Sequence, residues 1–223
     1  MREQDFAGQR AGMVERQLRR RGIQDERVLA AMGAVPREEF VPERRRCRAY
    51  NDSALPIGNA QTISQPWVVA SICEALALRG DERVLEIGTG SGYSAAVLAL
   101  LAAEVVSIER DPELADGAHE VLARLGAEGV EVITGDGSTG LPARGPFQAV
   151  AVHATAPAPP ASLLAALPEG GRLVAPIAGH AADMLTVFTK QAGGIQEEVI
   201  GPCRFVPLVG EEGFSERGQA DNS

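Results

Sequence analysis

Aromatic side chains make up only 4% of this chain, with one tryptophan and two tyrosines among 223 residues. It therefore has few rings on which to stack an extruded base. Its 30 acids against 21 Lys plus Arg give a net charge of −9, which repels a phosphate backbone. No nucleic-acid partner is expected. Cysteine is scarce too. Cys47, Cys73 and Cys203 are odd in number and far apart, which builds neither a disulfide framework nor a zinc site. His119, His153 and His180 are equally dispersed, so no metal is expected. No run approaches the roughly 20 apolar residues of a membrane span, and Met1–Asp5 lacks the apolar core of a secretory leader. The expectation is a cytoplasmic protein with no membrane partner. One basic cluster, Arg44-Arg45-Arg46 with Arg48, runs against the acidic balance and reads as a solvated surface turn.

The 45% hydrophobic content is enough to build a core. Its pattern divides the chain. Residues 9–22 read as a helix stopped by Gly22, and Asp25 can cap a second helix carrying Val28, Leu29 and Met32 that Pro36 closes. Residues 50–66 are punctuated by Pro and Gly and carry no helical period, while Pro66 suits the first turn of a helix to about Leu78. From residue 82 strands and helices alternate. Strands are expected at Arg83–Ile87, Glu104–Ile108, Val130–Thr134, Phe147–Val152 and 171–177, with helices reaching Ala102 and over 112–125 and 160–167. Such alternation implies a parallel sheet with right-handed crossovers. Met184–Lys190 and 196–206 then read as a hairpin joined through Gly193-Gly194. The fold class expected is α/β: a doubly wound, mostly parallel, Rossmann-like sheet with a C-terminal antiparallel hairpin and an N-terminal helical extension. The units expected are 1–80, 81–213 and a polar tail, 214–223, that frays.

The chemistry concentrates at the carboxyl ends of the expected strands. Gly88, Gly90 and Gly92 follow a strand and open a helix, the context of a cofactor loop, but as G-x-G-x-G rather than the dinucleotide G-x-G-x-x-G. Glu109, 17 residues after Gly92, ends the second strand, where a carboxylate can accept both ribose hydroxyls of an adenosine. Asp136, in Gly135-Asp136-Gly137, could accept from an adenine amino group, although that tripeptide alone reads as a plain turn. Glu86 could face a cationic amino-acid portion. Three acids around one pocket fit a cofactor that is cationic and lacks phosphate, as S-adenosylmethionine is and NAD is not. After the fourth strand the chain reads Val152-His153-Ala154-Thr155-Ala156-Pro157, without the Asp/Asn-Pro-Pro-aromatic element of adenine-N6 methyltransferases. A general base is hard to find, because His153 is the only histidine near a strand's carboxyl end. A substrate carboxylate, ionised above a pKa of about 4, needs none.

The segment Ala54-Leu55-Pro56-Ile57-Gly58, followed by Gln61-Thr62-Ile63-Ser64-Gln65-Pro66 and by Val84–Tyr93, closely resembles the protein-L-isoaspartate O-methyltransferase family. The resemblance runs over about residues 13–210. It takes in Val35-Pro36-Arg37-Glu38-Glu39-Phe40-Val41-Pro42, Ser107-Ile108-Glu109-Arg110, Gly135-Asp136-Gly137, Gly170–Val174 and Arg204–Val209. It implies methyl transfer from S-adenosylmethionine to the α-carboxylate of isoaspartyl residues in damaged proteins and peptides. The ester then cyclises unaided to a succinimide that hydrolyses partly to normal aspartate. By the same resemblance Ser64 is the active-site residue. The cofactor set is Gln61, Thr62, Ile63, Ser64, Glu86, Gly88, Gly90, Gly92, Glu109, Arg110, Asp136 and Gly137. The acceptor set is Ile57, Gly58, Asn59, Ala60, His153 and Ala154. Ser64 is no covalent nucleophile in a one-step displacement. Its hydroxyl can orient the carboxylate, and the residue also suits the start of a helix as its cap.

This chain departs from the resemblance on the acceptor side. Ala60 stands where the family usually has Gly, Trp67 where it commonly has Tyr, and His153-Ala154-Thr155 where it has Thr-Ala-Ala. Where that glycine has positive φ or lets a peptide backbone approach closely, Ala60 would reshape the acceptor pocket. Two alternatives stay open here: a specialised relative that esterifies a normal aspartate of a dedicated peptide, and a non-catalytic S-adenosylmethionine-binding module.

Overall fold

A computed structural model describes residues 5–215. Helix α1 (Phe6–Met13) begins ahead of the predicted residue 9 because Asp5 accepts from the Gly8 amide at 2.8 Å. It continues as a π-helical turn (Val14–Leu18) and a 3-10 turn (Arg19–Arg21) that Gly22 ends in the left-handed region at φ 101°. Asp25 caps α2 (Glu26–Ala34) as predicted, accepting from the amides of Arg27 and Val28. Two 3-10 segments follow, Arg37–Phe40 and Glu43–Arg48. The basic cluster lies on the second, with Arg44 and Arg48 exposed and Arg46 3.6 Å from Glu39.

The stretch without helical period is not a plain loop. It holds a small antiparallel hairpin, β1 (Leu55–Gly58) and β2 (Gln61–Ile63), turning on Asn59-Ala60. The two turn residues have φ of 47° and 55°, the geometry of a two-residue hairpin turn that normally selects Asn-Gly. With alanine second, the sequence signal for the hairpin is lost although the conformation is kept. Helix α3 (Pro66–Leu76) begins at its proline as expected.

Seven strands form the main sheet. They are β3 (Arg83–Ile87), β4 (Glu104–Glu109), β5 (Val130–Thr134), β6 (Ala149–Val152), β7 (Arg172–Ile177), β8 (Asp183–Gln191) and β9 (Gly194–Cys203), in the order β5-β4-β3-β6-β7-β8-β9. The first five are parallel, and β8 and β9 add antiparallel at one edge, so the doubly wound sheet and its terminal hairpin are as predicted. The helix after the glycine turn, α4 (Tyr93–Leu98), is shorter than expected, while α5 (Pro112–Arg124) and α6 (Ala161–Ala166) hold closely to the predicted spans. Alternate strand residues divide between two apolar layers. Val84, Val105, Ala149, Ala151 and Val174 pack with α2, α3, α4 and the N-terminal segments. Leu85, Ile87, Val106, Ile108, Val150 and Val152 pack with Leu163, Leu167, Phe147 and Leu208. The polar tail expected from residue 214 falls almost wholly outside the described residues.

Ile87 pairs with Ile108 on one side and Val152 on the other, so three parallel strands end level. The chain winds outward from β3 through β4 to β5, then returns to β6 on the other side of β3. The gap between β3 and β6 is therefore a topological switch point, where open α/β sheets bind their ligands.

Candidate active site

A cleft of about 440 Å³ opens at that switch point. Its floor is the carboxyl ends of β3 (Ile87, Gly88), β4 (Ile108, Glu109) and β6 (His153, Ala154), with Gly135 and Gly137 beyond β5. Gln61–Ser64 form one wall and the returning segment Val206–Val209 another. That segment is hooked down on the sheet, with Thr155 N donating to Val206 O and Leu208 N to Thr155 O, each at 2.8 Å.

The glycine turn earns its glycines at two places. Gly90 has φ 55°, and its amide donates to Glu109 Oε2 at 2.8 Å. Gly92 has φ 86°, and a Cβ there would meet Ala118 and Leu122 of α5 at 3.3 Å. Glu109 is 8% exposed and takes a second amide, Asp111 N, on Oε1 at 3.0 Å. Each carboxylate oxygen has a further lone pair for a ligand hydroxyl. The expected role of Glu109 thus has the right geometry.

The other two expected acids do not reach the cleft. Strand alternation puts Glu86 on the face of Val84, fully buried beneath α4. There its Oε2 accepts from Ser107 Oγ at 2.5 Å, and Ser107 Oγ lies 2.6 Å from Thr89 Oγ1. Its Oε1 makes no hydrogen bond and stands 3.3 Å from His153 Nε2. Asp136 turns away from the cleft, accepting the amides of Ser138 (2.8 Å) and Glu211 (2.9 Å). Burial alone would raise its pKa, but these amides and the Arg110 charge outweigh that and hold it below the usual carboxylate range. Asp136 thus ties the C-terminal segment to the β5 loop, and its neighbours Gly135 and Gly137 do the lining. Asp111 and Arg110, next to Glu109, supply the charged side chains that line the cleft instead.

A second, smaller cavity of about 250 Å³ adjoins the first, walled by Arg21, Trp67, Cys203, Arg204 and Phe205. Thr62, Ser64, His153 and Val206 line both spaces. Ser64 is not a helix cap, because the cap position of α3 falls on Gln65 and no side chain bonds the helix amides there. Its hydroxyl makes no hydrogen bond among the described residues. Its backbone carbonyl accepts from Arg37 at 2.7 Å. Arg37 is fully buried, also donates to Ala49 O at 2.8 Å, and lies 4.8 Å over the Tyr93 ring. Burial pulls its pKa down and pushes Tyr93 up to about 12. At the rim, Arg21 stacks on Trp67 and pairs with Asp52 at 2.7 Å, and Asp52 also receives Gln65 Nε2.

Ile57, Gly58, Asn59 and Ala60, expected on the acceptor side, line neither cavity. The hairpin instead leans over the glycine turn, Ile57 Cδ1 lying 3.5 Å from where a Gly90 Cβ would be. Asn59 Nδ2 donates to Asp111 Oδ2 at 2.8 Å and Glu113 Oε2 at 3.2 Å. The pairing register of β1 and β2 carries the tip away from Ser64 and onto α5. Arg37 and Val206–Val209 were not singled out from sequence as site residues. Both belong to motifs of the family resemblance, which was the signal available for them.

The sequence model of the protein-L-isoaspartate(D-aspartate) O-methyltransferase family matches residues 9–213. The chain is 51% identical over 206 residues to a protein-L-isoaspartate O-methyltransferase of Methanoculleus marisnigri, covering 92% of this chain and 94% of the relative. It is 52% identical over 212 residues to protein-L-isoaspartate O-methyltransferase 1 of Rhodopseudomonas palustris, covering 94% and 86%. A solved protein-L-isoaspartate O-methyltransferase matches with a TM-score of 0.80 at 29% identity, over 91% of this chain and 66% of that one. A Plasmodium falciparum structure described as the same kind of enzyme, in complex with S-adenosyl-L-homocysteine, matches with a TM-score of 0.77 at 26% identity, over 93% and 99%. The chain therefore belongs to the protein-L-isoaspartate O-methyltransferase family, and is an S-adenosylmethionine-dependent enzyme that methylates isoaspartyl residues of damaged proteins.

Proposed function

We propose that the larger cleft holds the cofactor, that the smaller cavity takes the free α-carboxylate of the isoaspartyl residue, and that Ser64 works at their junction. One observation carries this division: Ser64 lines both spaces with an unbonded hydroxyl, while Arg37 clamps its carbonyl from behind. The cleft fits S-adenosylmethionine by the chemistry of its donors. Glu109, half-satisfied by two amides, retains acceptor capacity for ribose hydroxyls, and Ile108, Pro112 and Leu208 provide apolar surface for a ring.

When bound, this cofactor supplies an electrophilic methyl group. A carboxylate already ionised at neutral pH accepts it without a general base, so the residues of the chain position rather than activate. Ser64 Oγ donates to one carboxylate oxygen and fixes which oxygen faces the cleft. Such alignment is worth at most roughly 7–11 kcal/mol of barrier in ideal cases. Arg37 holds the Ser64 backbone still. Trp67 and Phe205 keep water from the acceptor. The acceptors are proteins and peptides. The net charge of −9 supports no role for nucleic acid, and no membrane partner enters this reading.

The test uses isoaspartyl and aspartyl versions of one peptide with cofactor labelled in its methyl group. A base-labile labelled ester is expected on the isoaspartyl peptide. Label on the aspartyl peptide alone would refute the acceptor assignment. Ser64→Ala should leave S-adenosylhomocysteine binding intact and lower turnover at least tenfold. Loss of binding instead would return Ser64 to a structural part in the cofactor wall.

A further inference from the structure

The family resemblance puts threonine where this chain has His153, and nothing in the reaction as described uses an imidazole. The ring is nonetheless held firmly. Its side chain is 7% exposed, its Nε2 lies 2.8 Å from Ser94 Oγ on α4 and 3.3 Å from Glu86 Oε1 on β3, and Phe205 stacks at a tilt with centroids 6.4 Å apart. Glu86 is completely buried, and His153 is the only basic side chain within ion-pairing distance of it among the described residues. A buried carboxylate oxygen without a hydrogen bond is stabilised by a neighbour that can donate to it. The ring is thereby fixed from its Nε2 side. Nδ1 has no protein partner among the described residues, and the residue fronts both cavities beside Ser64 and Thr62.

We propose that His153 is a second holder of the acceptor carboxylate in this enzyme, donating from Nδ1 to the oxygen that Ser64 does not take, with Glu86 and Ser94 serving as the anchor that aims the ring. This rests on the reading that the smaller cavity takes the carboxylate. Two states of the ring present an Nδ1 hydrogen. In one, Nε2 accepts from Ser94 Oγ, which then anchors the ring without Glu86. In the other, the doubly protonated ring donates from Nε2 to Glu86. Both serve the same acceptor, and the second adds charge to the contact. Threonine at this position could reach neither Glu86 and Ser94 nor the carboxylate in the same way, so the chain carries a contact that the usual family residue does not.

Three variants separate the two nitrogens. His153→Asn keeps a polar atom at the Nδ1 position and loses the anchor. His153→Gln keeps one at the Nε2 position and loses the donor. His153→Thr removes both. KM and kcat are measured with the isoaspartyl peptide, and S-adenosylhomocysteine binding by calorimetry. KM for peptide should rise about 10- to 100-fold in the Gln and Thr variants, as loss of a charge-assisted bond implies. The Asn variant should lie between these and wild type, and S-adenosylhomocysteine affinity should stay within about threefold throughout. A Gln variant kinetically equal to wild type overturns the proposal, as does a parallel loss of cofactor-product affinity, which would make His153 part of the cofactor site. Wild-type enzyme that forms no ester with the peptide overturns the underlying reading. Ester formation with an unaffected Gln variant overturns this proposal alone.

Discussion

Replacing Glu109 by Gln separates two jobs that one carboxylate performs. Its oxygens hold the Gly90 and Asp111 amides at 2.8 and 3.0 Å, and both bonds exist without ligand. An amide group offers only one acceptor oxygen, so whichever way it is turned one backbone N–H faces an NH₂. An orphaned donor at a site only 8% exposed costs about 1–3 kcal/mol. That cost falls on the free enzyme, and for a domain of this size each kcal/mol lowers Tm by about 2–4 °C. The second loss appears only with ligand. Ribose hydroxyls exchange a charged acceptor for a neutral or absent one, about 1.5–3 kcal/mol, or roughly 10- to 150-fold in affinity. Calorimetric titration with S-adenosylhomocysteine reads the second term and scanning calorimetry of the free protein reads the first. If Tm falls while affinity stays within about threefold, Glu109 only braces the glycine turn, and the ribose assignment is refuted.

Three further outcomes follow from the geometry. Arg37→Met removes a desolvated cation along with its bonds to Ala49 O and Ser64 O. Removal of the buried charge offsets only part of the cost of leaving those two carbonyls without a donor, about 1–3 kcal/mol each, so chemical denaturation should show a loss of about 2–4 kcal/mol with the fold retained, while kcat falls about 10²-fold because Ser64 is no longer fixed to within about 1 Å. A kcat unchanged from wild type would show that the clamp is dispensable. Ala60→Gly relieves a left-handed alanine at φ 55° and should stabilise the fold by about 1 kcal/mol, seen as a Tm rise of about 2–4 °C; no rise would mean that the turn is not strained. For Asp136, whose pKa is lowered on folding, the tie to Glu211 is complete above the ordinary carboxylate range and is lost as pH falls through the lower folded value. The protection factor of the Glu211 amide, its exchange taken against the intrinsic rate at each pH, should therefore fall below about pH 4, earlier than global unfolding, and Asp136→Ala should show that loss of protection at neutral pH.

The parallel sheet was legible because β3, β4 and β6 are short segments rich in Val, Ile and Ala that alternate with helical stretches, the order that builds a parallel sheet. The place of Glu109 on the cleft was legible because it is the last residue of β4, at the carboxyl edge beside the switch point where open α/β sheets take their ligands. Glu86 was misread because strand parity, not closeness to the glycine turn, decides its face. Its side chain lies with Val84 and away from Leu85 and Ile87. The hairpin was missed because Asn59-Ala60 adopts a turn that its residue types do not advertise. Asp136 was misassigned because its partner, the Glu211 amide, lies 75 residues away, a tertiary contact that no local pattern encodes.

A single buried row joins the two halves of the site. Thr89, Ser107, Glu86, His153 and Ser94 follow one another at 2.5–3.3 Å, from behind the cofactor turn to the acceptor cavity. Polar groups buried in this way are costly unless each is satisfied, and of the fully buried side-chain atoms in the row only Glu86 Oε1 lacks a hydrogen-bond partner. A chain with threonine at position 153 would lack the imidazole that stands between Glu86 and Ser94. In this chain the row passes through an imidazole that fronts both cavities. The departure at His153 is therefore more than drift on the substrate side. The cofactor half of the site includes a buried acid whose pairing requirement the substrate half meets, so a change at either residue is felt at the other. Glu86→Gln should accordingly disturb peptide KM through the His153 ring before it disturbs cofactor affinity, since the Glu86 side chain lines neither cavity.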